Sequence, residues 1–155
     1  MSDNWRTHAK YWSSHYEVHA IDQRNHGKSF HSKSFDYEIL AQDVVAYMDA
    51  HKLDKAIVLG HSMGGKTAMT LALKYPYRVR KLIVADIAPK VYDVREKFSN
   101  IIDGLLHLNA NIFTSRTLAD DTLSAFVSAV GVRQFLLKNL AWTEQRTLKL
   151  RCNIE

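Results

Sequence analysis

Two short apolar runs separated by a helix-like segment restrict the fold of this chain more than any other feature. The runs are Lys55–Gly60 (KAIVLG) and Lys81–Ala85 (KLIVA), and each has the length of a single strand. Nearly uniform apolar runs of this kind are typical of strands covered on both faces, as in parallel sheets. Between them, residues 63–75 carry apolar side chains at helical spacing, and Pro76 ends that helix. The pattern predicts a parallel β-α-β unit and an α/β fold.

The segments before these strands continue the same alternation. Residues 4–14 are predicted to form a short helix. Tyr16–Asp22 (YEVHAID) is predicted to be a strand, because it is rich in β-formers and precedes a turn. Residues 35–51 place apolar side chains on one helical face, with Ser34 or Asp36 as the cap. The predicted order is α-β-α-β-α-β, which implies a parallel sheet with helical crossovers.

The last third of the chain has a different pattern. Helical spacing recurs over residues 98–105, 117–130 and 132–140, and no further buried strand is predicted there. The sequence therefore predicts two domains: residues 1–90 as a partial α/β core, and residues 91–155 as a helical cap segment or lid.

Composition and charge narrow the class of protein. The chain has 155 residues, of which 46% are hydrophobic and 24% charged, with a formal net charge of +5. Because the cations are scattered singly, the charge is interpreted as a solvated surface, and no nucleic-acid partner is predicted. No apolar run has the length of a membrane span, and the first ten residues contain no signal-like stretch. Cys152 is the only cysteine, so an intracellular rather than secreted location is expected.

Residues 60–64, Gly-His-Ser-Met-Gly, match the pattern G-x-S-x-G. This pattern requires a strand, a sharp turn and a helix, which is the predicted context here. The serine then lies at the apex in a strained conformation, and the flanking glycines leave space for the turn. The helix that follows directs its N-terminus at the site, so the Met63 N–H is predicted to stabilise an oxyanion. Ser62 is the candidate nucleophile.

The same segment also matches a phosphate-binding loop. Residues 60–67 satisfy G-x-x-x-x-G-K-[ST], and Asp86 after the next strand is similar to a magnesium-binding aspartate. A nucleotide-binding protein is therefore the main competing enzyme class. Two observations favour a hydrolase. Asp86 follows the loop by only one helix and one strand, whereas a nucleotide-binding aspartate more often lies further along the chain. The loop also does not follow the first predicted strand.

Three motifs together resemble the α/β-hydrolase superfamily. They are Asp22–Ser29 (DQRNHGKS), Gly60–Gly65 (GHSMGG) and Lys81–Pro89 (KLIVADIAP). The longer stretch GHSMGGKTAM followed by VADIAP is similar to small esterases and thioesterases that occur in bacteria and, as abhydrolase-domain proteins, in mitochondria. The resemblance extends from Asp3 to Leu140, and it implies a mitochondrial or cytoplasmic protein.

The resemblance also implies roles for individual residues. Ser62 corresponds to the nucleophile, the Met63 N–H to one oxyanion donor, and Asp86 to the catalytic acid. It implies a serine hydrolase that forms an acyl-enzyme on Ser62. The expected substrate is a small-molecule acyl ester or thioester, and no metal or cofactor is expected. A turn or helix-capping role for Asp86 is the alternative.

The histidine that such a serine needs as its base is not identified in the sequence. Only His107 follows Asp86, and it is expected to face solvent on a helix. His61 adjoins the serine but is expected to point elsewhere, and the segment with the second oxyanion donor is expected to precede Asp3. We therefore expect an incomplete hydrolase chain that is poorly soluble and weakly active or inactive alone. A non-catalytic, truncated interaction product is the alternative.

Overall fold

The computed structural model describes residues 1–92 and 95–154. The chain divides into two compact units, one formed by Ser32–Tyr92 and the other by Met1–His31 with the described part of residues 93–155. The helices are α1 (Arg6–Trp12), α2 (Tyr37–Ala50), α3 (Met63–Lys74), α4 (Arg95–Ala110), α5 (Arg116–Ser124) and α6 (Val130–Leu137). The strands are β1 (Ala56–His61), β2 (Val79–Ala85), β3 (Leu140–Trp142) and β4 (Leu148–Leu150). None of these described helices is long and apolar enough to cross a membrane.

In the Ser32–Tyr92 unit, β1 and β2 form a two-stranded parallel sheet. The register pairs Ile57 with Lys81 and continues to His61 with Ala85. The connection between the two strands contains α3, which packs on both of them. The parallel β-α-β unit predicted from the two apolar runs is therefore confirmed, and its two strands end side by side.

α2 and α3 pack against each other and form the core of this unit. Leu40 on α2 and Leu71 on α3 are fully buried, so each helix directs its apolar face at the other. Of the two predicted caps, Asp36 is the one that binds the helix, because its Oδ1 accepts a hydrogen bond from the Ile39 N–H at 2.8 Å.

The sheet is less covered than its sequence predicts. Ile57, Leu82 and Ile83 are 42%, 40% and 47% exposed. The expectation that both strands are covered on both faces is therefore wrong for the part of the chain that the structure describes. α3 packs on the side of the sheet where Val84 meets Gly65, and this one helix leaves other apolar side chains accessible to water.

A buried arginine joins the start of β2 to the loop before β1. Arg78 is 9% exposed, and its Nε and Nη2 each donate a hydrogen bond of 2.8 Å, to the carbonyl oxygens of Asp54 and Leu53. Its Nη1 lies 2.7 Å from Asp49 Oδ1 at the end of α2. A buried guanidinium is tolerated when its donors are paired in this way.

The second unit has its own core, which lies among α4, α5, α6 and a short hairpin. Its buried members include Leu108, Leu123, Leu137, Leu140 and Leu148. Arg133 Nε donates to Asp120 Oδ1 at 2.8 Å and so links α6 to α5. The helices predicted in this third of the chain are present, although α5 ends at Ser124 rather than near residue 130.

The sequence-based prediction of an entirely helical end is wrong. β3 and β4 form an antiparallel hairpin in which Leu140 pairs with Leu150 and Trp142 with Leu148. The turn is closed by a hydrogen bond of 2.8 Å between the Thr143 N–H and the Thr147 carbonyl oxygen. Strands of three residues are too short to produce a clear alternating pattern, which explains why the sequence did not reveal them.

The predicted strand Tyr16–Asp22 is also not present as a strand. Strand residues need a ladder partner, and the hydrogen bonds at the end of this segment instead form a loop. Asp22 accepts hydrogen bonds from the N–H groups of Ser2 and Lys28, at 2.6 and 3.0 Å. Gly27, with φ of 61°, lies directly against the Asp22 carboxylate, where a side chain would collide with it.

Candidate active site

Ser62 alone connects the end of β1 to the start of α3. Its backbone has φ of 53° and ψ of −118°, a conformation that costs free energy for a residue with a Cβ. Two hydrogen bonds hold this turn: the Ser62 N–H donates to the Ala85 carbonyl oxygen at 3.0 Å, and the Lys66 N–H donates to the Ser62 carbonyl oxygen at 3.1 Å. The strand, strained turn and helix predicted from G-x-S-x-G are all present.

The glycines around Ser62 are required by close packing. A Cβ on Gly60 would collide with the carbonyl oxygen of Gly64. A Cβ on Gly65 would lie 2.5 Å from Ile87 Cγ2, well inside van der Waals contact. Gly65 lies outside the G-x-S-x-G pattern. Its role is to let the first turn of α3 approach the segment that follows β2.

Met63 is the first residue of α3. The first N–H groups of an α-helix have no carbonyl partner within the helix, and together they carry partial positive charge. An oxygen that develops negative charge next to Ser62 would therefore be stabilised from this side. The predicted role of the Met63 N–H as an oxyanion donor is compatible with this position.

Asp86 occupies the equivalent position on the neighbouring strand. It directly follows β2, as Ser62 directly follows β1, and the last register pair before them is His61 with Ala85. Both residues have a left-handed backbone, with φ of 53° at Ser62 and 56° at Asp86. Left-handed backbone is uncommon outside glycine, and two such residues side by side mark the carboxyl edge of the sheet as a candidate site.

His61 faces Asp86. Its Nε2 lies 3.6 Å from Asp86 Oδ2, and the two side chains are 53% and 88% exposed. At 3.6 Å the two groups are too far apart for a hydrogen bond, and their exposure to solvent makes any electrostatic attraction between them weak. The helix-capping alternative for Asp86 does not fit, because residues 87–92 are not helical.

The Ser32–Tyr92 unit, which the structure describes completely, contains two histidines. His51 lies at the end of α2, where its Nδ1 is 2.9 Å from the Tyr47 carbonyl oxygen. His61 is therefore the imidazole at the carboxyl edge of the sheet. In the other unit, His107 is exposed on α4, as predicted, and its ring centroid lies 5.4 Å from that of Phe126, with the two planes tilted by 38°.

The phosphate-loop alternative does not fit this geometry. Phosphate loops present several successive N–H groups before their helix begins, whereas here a single residue separates strand and helix. The Thr67 hydroxyl is buried and donates to the Met63 carbonyl oxygen at 3.2 Å, and Lys66 Nζ donates to the Lys90 carbonyl oxygen at 3.0 Å. Both groups that would bind phosphate and magnesium are used inside the fold.

The strand–serine–helix junction and the parallel sheet define a protein of the α/β-hydrolase class. A family model described as the alpha/beta hydrolase fold matches residues 1–136. The chain therefore belongs to this family.

Similar proteins include both fungal and vertebrate members. An abhydrolase domain-containing protein of Schizosaccharomyces pombe is 38% identical over 98% of this chain and 58% of its own length. An sn-1-specific diacylglycerol lipase of Xenopus tropicalis is 38% identical over 90% of this chain and 44% of its own length. The solved structure of a marine microorganism esterase is 36% identical, with a TM-score of 0.90 over 99% of this chain and 60% of that protein. The chain spans about half the length of these relatives.

Proposed function

We propose that this chain carries the nucleophile of a hydrolase that cleaves carboxylic acyl esters, with Ser62 as the attacking residue. One observation carries the proposal: Ser62 is the single, strained residue between β1 and α3, at the same edge of the sheet as Asp86. Family membership and the names esterase and diacylglycerol lipase among its relatives support the same chemistry.

In the proposed reaction, Ser62 Oγ attacks the carbonyl carbon of the ester and loses its proton to a base. The carbonyl oxygen becomes an oxyanion beside the Met63 N–H. The tetrahedral intermediate then expels the alcohol, which takes up the proton and leaves an acyl group on Ser62. Water attacks this acyl-enzyme, which releases the carboxylic acid and regenerates the free serine.

Asp86 has the role of the acid that orients the base and stabilises its positive charge. The imidazole within its reach in this unit, His61, faces Asp86 through Nε2. In a Ser–His–Asp triad, by contrast, Nε2 faces the serine and Nδ1 the acid. We therefore expect slow turnover by the 155-residue chain, because His61 in this orientation activates the Ser62 hydroxyl only weakly.

We extend the proposal to thioesters, because the tetrahedral chemistry is the same and a thiolate leaves more readily than an alkoxide. A series of p-nitrophenyl esters and the matching acyl thioesters, from two to twelve carbons, would define the substrate. Hydrolysis should be detectable for at least one ester and absent in Ser62→Ala.

Labelling with a fluorophosphonate probe tests the nucleophile directly, because the probe reacts with an activated serine. We expect one label per chain, located on Ser62 by peptide mass spectrometry and absent in Ser62→Ala. Ser128→Ala, which changes an exposed serine in the other unit, is the matched control and should be labelled normally. A wild-type chain that is folded but not labelled would contradict the proposal and favour a non-catalytic binding role.

A further inference from the structure

Lys66 has a set of contacts that the proposed chemistry does not use. Its Nζ donates a hydrogen bond to the Lys90 carbonyl oxygen at 3.0 Å. The same ammonium lies 4.9 Å from the ring centroid of Tyr92 and 5.7 Å from that of Tyr37. A carbonyl dipole and two aromatic faces all attract a cation, so Lys66 is bound on several sides.

The contacts of Lys66 with Lys90 and Tyr92 hold one segment in particular, residues 87–92 directly after Asp86. This segment has no helix or strand of its own. Within it, the Ala88 N–H donates to Tyr92 Oη at 3.0 Å, and the Lys90 N–H donates to the Ala88 carbonyl oxygen at 2.8 Å. With so few internal hydrogen bonds, the conformation of the segment depends on its contacts with neighbouring elements.

Those external contacts come from the first turn of α3, which begins immediately after Ser62. Gly65 packs against Ile87 at the start of the segment. Lys66 binds the end of the segment through the Lys90 carbonyl oxygen and the Tyr92 ring. Two consecutive residues of α3, Gly65 and Lys66, therefore fasten residues 87–92, which follow Asp86.

We propose that Lys66 is a positioning residue: it fastens residues 87–92 to the first turn of α3 and thereby holds Asp86 beside Ser62. The Asp86 side chain is 88% exposed, so packing around the carboxylate does not fix it. Its left-handed backbone is fixed instead by β2 on one side and by residues 87–92 on the other. The catalytic part of this inference rests on the proposed function, whereas the fastening of the segment does not.

The test compares Lys66→Met, Lys66→Arg and Lys81→Met in the full chain. Lys66→Met removes the ammonium and its hydrogen bond, and Lys66→Arg keeps a donor and a cation. Lys81→Met removes an exposed lysine of β2 and is the matched control. Thermal unfolding first establishes that each variant is folded. Amide hydrogen exchange at residues 87–92 then measures the fastening, and the rate of fluorophosphonate labelling at Ser62, from pH 6 to 9, measures the catalytic consequence.

In Lys66→Met we expect exchange at Ala88 and Lys90 to accelerate by about fivefold or more, as for loss of one hydrogen bond. We expect labelling at Ser62 to slow by about tenfold. Lys66→Arg should restore both, and Lys81→Met should resemble the wild-type chain.

Unchanged exchange in a folded Lys66→Met chain would overturn the proposal, and so would equal effects of Lys66→Met and Lys81→Met. Faster exchange with unchanged labelling would overturn the positioning role while leaving the proposed function intact. If the wild-type chain itself is not labelled, the proposed function fails, and the positioning role fails with it. The exchange data still decide whether Lys66 fastens the segment.

Discussion

At the scale of single residues, the candidate site depends on two adjacent left-handed positions. Ser62 and Asp86 both have positive φ, and neither is glycine. The backbone conformation costs about 1 kcal/mol or more at each position, so the surrounding hydrogen bonds must compensate for it. The Ser62 N–H to Ala85 carbonyl hydrogen bond, which joins the two turns, is one such bond.

Substitutions at Asp86 should distinguish the effect of its carboxylate on the reactivity of Ser62 from the effect of its backbone conformation on stability. Asparagine tolerates left-handed backbone, so Asp86→Asn should keep the wild-type melting temperature and yet slow labelling of Ser62 by at least about tenfold. Alanine does not tolerate it, so Asp86→Ala should in addition lower the free energy of unfolding by about 1 kcal/mol. Urea denaturation and the labelling assay distinguish the two effects. Equal stability of Asp86→Asn and Asp86→Ala would show that the left-handed backbone is not costly here.

Gly65 gives a prediction about packing. Gly65→Ala places a Cβ against Ile87 Cγ2 and should destabilise the chain by about 1–3 kcal/mol. Ile87→Ala removes that methyl group, so the double variant should lose less than the sum of the single losses. Gly131→Ala is the control, because a Cβ there meets no heavy atom within 4 Å and helix propensity favours alanine by about 0.5–1 kcal/mol. Additive losses in the double variant would contradict the contact.

At the scale of elements, Arg78 joins three parts of the Ser32–Tyr92 unit. Arg78→Met leaves the carbonyl oxygens of Leu53 and Asp54 and the Asp49 carboxylate without their donor, and we expect a loss of about 1–3 kcal/mol. Arg80→Met, at an exposed position of β2, should change the free energy of unfolding by less than about 0.5 kcal/mol. Similar urea midpoints for the two variants would contradict this role of Arg78.

The loop around Asp22 predicts a pH dependence. Burial alone would raise the pKa of Asp22, but hydrogen bonds from the Ser2 and Lys28 N–H groups and the charge of the N-terminus lower it below 3.8. A carboxylate whose pKa is lower in the folded than in the unfolded state stabilises the fold above the unfolded pKa. That stabilisation is lost as the pH falls through the folded pKa. Between pH 7 and pH 3, wild type should therefore lose more stability than Asp22→Asn. Asp121→Asn, an exposed position in the same unit, should behave like the wild-type chain.

The sequence predicted helices and strands best where the spacing of apolar residues and the length of the segment indicated the same element. α2, α3, β1 and β2 lie within two residues of their predicted ends. The two helices have long apolar patterns bounded by a cap or a proline, and the two strands are nearly uniform apolar runs of strand length. Tyr16–Asp22 was misassigned because β-forming residues do not by themselves supply a ladder partner. The hairpin near the C-terminus was missed because its strands have only three residues each.

For the candidate site, the sequence predicted the turn at Ser62 and the placement of Asp86 after the neighbouring strand. It did not predict that His61 faces Asp86, because a contact between side chains of two strands depends on their register. Nor did it predict the contacts of Lys66, since the lysine matched a phosphate-loop pattern with a different role. The same motif contains Gly65, which packs against Ile87 in the segment after β2. A glycine at this position was the available indication that the start of α3 approaches that segment closely.

At the scale of the whole molecule, the chain belongs to the α/β-hydrolase family and divides into two compact units with separate cores. The Ser32–Tyr92 unit contains both Ser62 and Asp86. Its strands also expose Ile57, Leu82 and Ile83, which is unusual for a parallel sheet. Apolar side chains left exposed on a sheet favour self-association, in agreement with the poor solubility that we predict for this chain.

The parallel pairing of β1 with β2 has a kinetic consequence. Ser62 and Asp86 become neighbours only after residues 62–78 have closed into a loop and the ladder has formed. Local helices form in about a microsecond, whereas pairing between strands distant in sequence is slower. During refolding from urea, the helical circular dichroism signal should therefore recover before Ser62 regains its reactivity. Probe labelling at increasing delay times would measure this lag, and simultaneous recovery would mean that the two strands pair as early as the helices form.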